Sequence, residues 1–148
     1  MLAITGKDSV TIDTRTLTEF ATGDTYGIEM PNNLAEYKQG KNGNAVIAYN
    51  ASGEQGVLTL KLVRGGADDK FMMARMQEFI NDTPSFVVVS GEVIKRLGDG
   101  AGNITADLYQ LSGGAFQKMP IIKEDVEGDT DQATVTYTII GNFKRILG

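Results

Sequence analysis

Apolar and polar positions alternate with a period of two over much of this chain, the pattern of strands with one buried face. It is clearest from Val57 to Val63, where Leu58, Leu60 and Leu62 fall on one side and Val57, Thr59, Lys61 and Val63 on the other. The first face predicts core; the second points to water or to a neighbouring subunit. From Ala133 to Phe143, Val135, Tyr137 and Ile139 oppose Thr134, Thr136 and Thr138, which again suits a half-buried strand. Val10 to Phe20 alternates in the same way, and Thr25 to Met30 places Tyr26, Ile28 and Met30 on one side. With Ala21-Thr22-Gly23-Asp24 as the turn between them, these two segments are expected to form a first hairpin, closed off by Pro31.

A second hairpin is expected from Val46–Tyr49 and Val57–Val63, joined through Asn50–Gly56 and leading into a helix. Asp68 and Asp69 suit the positive end of that helix, and Met72, Met73, Met76, Phe79 and Ile80 follow at spacings of three and four. Asn81-Asp82-Thr83-Pro84 stops it, giving a helix over about 68–81 that covers a sheet. Its methionines read as gap-fillers in a core rather than as a binding groove. Leu34–Asn44, with two glycines and no sustained period, reads as a long loop within 31–45. Later come a strand over Ser85–Arg96 with a bulge at its glycine, a turn at Leu97–Asn103 and a strand over Ile104–Leu111. Ser112–Phe116 reads as an interruption, Gln117–Lys123 as a short strand and Glu124–Asp131 as an acidic turn. The sum is a single mainly β (α+β) domain, an antiparallel sandwich or barrel of about seven or eight strands with one helix.

At 148 residues the chain is long enough to bury a core without covalent or metal staples. It contains no cysteine and no histidine, which removes disulfides, thiolate metal sites, cysteine nucleophiles and any histidine-based catalytic arrangement. No apolar run approaches the roughly 18 residues of a membrane span, and no export signal is expected. A net charge of −5 with scattered basic residues disfavours a nucleic-acid-binding surface.

The acidic turn lacks the spacing of a calcium loop and reads as a solvated turn. Gly98-Asp99-Gly100-Ala101-Gly102 has neither the lysine nor the following helix of a phosphate loop. Paired carboxylates are available among 19 acids, yet tryptophan is absent and the tyrosines and phenylalanines sit mostly on apolar faces, so no enzyme is expected.

In GKNGNAVIAYNASGEQGVLTLKLVRGGADDKFMMARMQEFI, residues 40–80, and GDTDQATVTYTIIG, residues 128–141, the chain resembles the tail tube proteins of contractile-tailed bacteriophages. The resemblance extends to the related tubes of type VI secretion and phage-tail-like bacteriocins. It covers most of the chain. It implies hexameric rings that stack into a tube, a virion tail built in the host cytoplasm, and ejection of DNA through the lumen. Implied partners are other copies of the chain, the tail sheath, baseplate and tail terminator proteins, and the tape measure protein and double-stranded DNA in the lumen, with no cofactor and no membrane. Six copies at −5 put −30 on a ring, and an inward share of that charge would repel phosphate. Glu29, Lys61 and Asp107 are the candidate lumen-facing residues, with Lys61 cutting against a uniformly negative wall. Tyr37, Lys38, Lys41, Asn42, Glu54 and Gln55 are candidates for contacts between rings. The competing readings are the secretion and bacteriocin tubes, a β-sandwich ligand-binding module, and an enzyme that uses carboxylates alone.

Overall fold

The computed structural model describes residues 3–4, 9–20, 26–122 and 133–148. Among them run ten strands: β1 (Ala3–Ile4), β2 (Ser9–Ile12), β3 (Arg15–Leu17), β4 (Tyr26–Glu29), β5 (Ala35–Gln39), β6 (Ala45–Tyr49), β7 (Gln55–Val63), β8 (Val89–Gly98), β9 (Ile104–Ile122) and β10 (Thr134–Leu147). One α-helix, α1 (Ala67–Asn81), lies between β7 and β8. Eight strands form one antiparallel sheet in the order β3-β2-β8-β9-β10-β7-β4, with β1 also paired to β8. β5 and β6 make a separate two-stranded sheet. The two ends of the large sheet approach one another, since Val63 N donates to Glu19 O at 2.9 Å and Phe20 bridges Leu62. The expected mainly β architecture with one helix is what forms.

The alternation fixes which face is inside. Leu58, Leu60 and Leu62 are fully buried with Val135, Tyr137 and Ile139 of the neighbouring β10, and Val10, Ile12, Val89, Val93 and Leu111 extend the same core. Met72 and Met76 of α1 close it, as core methionines do. Asp68 and Asp69 fasten this helix to the sheet. Asp68 accepts from the backbone N–H groups of Thr18 and Glu19, both at 2.8 Å, and from Arg15 Nε at 3.0 Å. Asp69 accepts from Gly65 N and, at 2.5 Å, from the buried Tyr137 hydroxyl.

Strand structure and pairing differ from the sequence expectation in five places. Val10–Phe20 is not one strand: it folds back at Asp13 and Thr14, whose φ angles of 49° and 70° make the tight turn between β2 and β3. β4 then pairs with β7 and not with β2, and β6 pairs with β5 and not with β7. Leu34–Asn44, expected as loop, contains β5, leaving only Gly40–Asn44 as the turn. Ser112–Phe116, expected as an interruption, stays within β9, whose extra residues are absorbed as bulges against β10. The bulge expected at the glycine of β8 is present between Val89 and Gly91. The acidic turn Glu124–Asp131 lies outside the described residues. No helix among the described residues is long and apolar enough to cross a membrane.

Candidate assembly interface

The β5–β6 hairpin is built differently from the rest of the molecule. Its register places Ala35, Tyr37, Gln39, Ala45, Ile47 and Tyr49 on one face and Glu36, Lys38, Val46 and Ala48 on the other. The first face is apolar at its centre, yet every residue of both strands is exposed, Ile47 at 71% and Tyr37 and Tyr49 at 64% each. Two strands by themselves are marginal in water, and a row of large apolar side chains left in solvent is the mark of a surface awaiting a partner.

The root of this arm is firmly held. Asn50 N donates to Leu34 O at 2.8 Å, and Asn32 Nδ2 donates to Ser52 O and to Gln55 Oε1, both at 3.2 Å. Gly53, in the 3-10 turn Ala51–Glu54, is buried against the backbone of Leu34, where a Cβ would stand 2.5 Å from its Cα. Glu54 accepts a hydrogen bond from Tyr49, which pushes that phenol above its ordinary range.

Of the candidate contact residues, Tyr37 and Lys38 lie on β5, Lys41 and Asn42 at the tip, and Glu54 and Gln55 at the root, so one arm gathers all six. Tyr37 is on the apolar face; Gln55 is half-buried and bonded to Asn32. The candidate lumen residues do not share a face. Glu29 lies opposite Val57, and Lys61 opposite Thr136, on the outer face of the large sheet; Thr59, Thr138 and Lys118 lie on that same face. Asp107 belongs to the core-side face, next to Tyr109, in an ion pair with Arg145 at 3.0 Å and opposite Lys95.

Three features escaped the sequence. The Val46–Tyr49 strand, expected as half of a hairpin with Val57–Val63, is exposed along its whole length; its cross-strand match to the Ala35–Gln39 alternation was the available signal. Ile80, Val87 and Val88 are exposed at 50%, 70% and 54% beside the contact of Phe79 with Phe86, whose centroids lie 5.1 Å apart. Asp68 read as a helix-end charge, whereas its carboxylate faces the chain after β3.

Known structures bear on this arrangement. One chain of the cryo-EM structure of an extracellular contractile injection system, the PVC sheath/tube terminator in its extended state, superimposes with a TM-score of 0.55. The match covers 97% of this chain and 94% of that one at 13% identity. The two chains share a fold. No protein-family model and no curated protein matches the sequence.

Proposed function

We propose that this chain is a structural subunit of a contractile tail, assembling as hexameric rings that stack into a tube and conduct DNA, as in a bacteriophage. The observation that carries the reading is the rooted hairpin with its uncovered apolar face, a part useful only against another protein. The fold shared with a component of a contractile injection system supports it. The role is mechanical, with no catalysis. Sheath, baseplate, tail terminator and tape measure proteins are the expected partners, and duplex DNA passes without being held.

A second reading has specific support. The structural neighbour comes from a sheath/tube terminator, which favours a ring that ends a tube instead of repeating along it. Negative-stain electron microscopy of the purified protein over rising concentration tests both. Stacked rings with an axial channel support a repeating tube subunit, and single rings that bind the ends of preformed tubes support a terminator. A monomer at every concentration, also in the presence of tube and sheath proteins, overturns both.

A further inference from the structure

The pairing of β10 changes along its length. From Thr134 to Asn142 it runs between β9 and β7, but β7 begins at Gln55, opposite Asn142, and beyond that point β9 alone accompanies it among the described residues. Gly148 N donates to Ala106 O at 3.1 Å and Ala106 N to Gly148 O at 2.9 Å, so the even-numbered residues of this stretch address β9. The backbone N–H and C=O groups of Phe143, Arg145 and Leu147 therefore point the other way, to an edge where no strand lies among the described residues. Register also defines an apolar row that ends at this edge. Ile94 lies opposite Leu108 and Leu108 opposite Ile146, all on the outer face of the sheet, with Ile146 39% exposed. A matching open edge belongs to β6, whose five residues, Ala45–Tyr49, include no charge, proline or glycine to guard it. Gly40 N donates to Asn44 O and Asn50 N to Leu34 O, which makes the even-numbered residues of β6 the ones that address β5. The backbone groups of Ala45, Ile47 and Tyr49 are left pointing outwards.

We infer that β6 of a second copy adds to the free edge of β10 as a parallel strand, with Ile47 beside Ile146. The inference rests on the ring-forming reading above and names the surfaces through which one copy holds the next. Direction follows from the faces. In a parallel pair the residues that address each other across the edge project to opposite faces of the sheet, and in an antiparallel pair to the same face. A parallel β6 therefore lays Ile47 and Tyr49 on the outer face, where Ile47, and Tyr37 opposite it on β5, extend the row Ile94–Leu108–Ile146. An antiparallel β6 would turn them to the face of the Arg145–Asp107 ion pair and leave that row unextended. Addition also gives the hairpin, marginal as two strands, the margin of a larger sheet and satisfies two rows of open backbone groups.

The absence of native cysteine makes the test clean. Two single variants, Ile47→Cys and Ile146→Cys, differing in mass by a tag, are mixed under assembling conditions and oxidised; Leu147→Cys, whose side chain projects from the other face, replaces Ile146→Cys in the control mixture. The expected result is a disulfide-linked mixed dimer from the first mixture and none from the control. Independently, Leu147→Pro removes an N–H that points to the open edge and none that addresses β9. It is expected to raise the concentration needed for assembly about tenfold, whereas Leu147→Ala, which keeps the N–H, changes it by less than about threefold. A link in the control mixture instead overturns the parallel direction. Rings or tubes that form without the Ile47–Ile146 link, or that Leu147→Pro leaves unaffected, overturn this pairing and leave the ring reading standing. Monomers at every concentration overturn both. Variants are compared only where their thermal transitions as monomers match the parent.

Discussion

Asp68 shows how one buried carboxylate serves two elements. Burial alone would raise its pKa, but the N–H groups of Glu19 and Thr18 and the Arg15 guanidinium favour the charged form and hold it below the usual carboxylate range. A depressed pKa contributes stability above the unfolded value, about 3.9, and that contribution is lost as the pH falls through the folded value. In the unassembled protein this contribution is therefore expected to hold from pH 7 to about 5 and to be lost on further acidification. Asp68→Asn, lower by about 3 kcal/mol at pH 7, should lose less on acidification, and thermal melts across that pH range check this. Thr14 points the other way. It is β-branched and holds a φ of 70°, which costs about 1–2 kcal/mol. Thr14→Gly is expected to stabilise by about 1 kcal/mol, a rise of a few degrees in Tm. Asp13 tolerates its own positive φ because its backbone N–H donates to Ser90 O and its side chain is bonded to Ser90 N and Arg75.

At the level of elements, a close approach of backbones lets three strands bend together. Gly141 of β10 lies opposite Gly56 of β7, and a Cβ on Gly141 would come within 2.6 Å of a Leu111 methyl and 3.0 Å of Gly114 Cα. Gly141→Ala is expected to destabilise by about 1–3 kcal/mol, read as a lower midpoint in denaturant at unchanged slope. Elements with one buried face were legible in the sequence. The alternations Leu58-Leu60-Leu62 and Val135-Tyr137-Ile139, and the helix with Met72 and Met76, named their own core sides. Which strand pairs with which was not legible, because a period of two specifies a face and carries no address. β5 was hidden for a related reason: Ala35, Tyr37 and Gln39 bury nothing within one chain, so their alternation mixes polar and apolar positions. The candidate contact residues converged on the arm because glycine content and length marked the segment. The lumen candidates scattered because strand parity is lost across bulges such as those of β9 against β10, upstream of which lies Asp107.

For the whole molecule, charge is unevenly shared between a basic arm and an acidic remainder. Assembly through the arm is expected to weaken as salt rises from about 0.05 to 0.5 M, since the Debye length shrinks from above 10 Å towards about 4 Å, and sedimentation at each ionic strength checks this. Replacing Tyr37 and Ile47 together by serine should abolish assembly while leaving the monomer's Tm within about 2 °C, because neither side chain contributes to the core. A large fall in Tm would mean that the hairpin is integral to the fold.

If, in the proposed assembly, the apolar face of the β5–β6 hairpin meets a different surface of the next copy, the contact is heterologous. Such a subunit has a direction. Where that contact joins one ring to the next, a finite stack ends with arms that hold nothing on one side and receivers that nothing fills on the other. Growth at the two ends then proceeds at different rates, and the protein that starts such a stack cannot be the one that stops it.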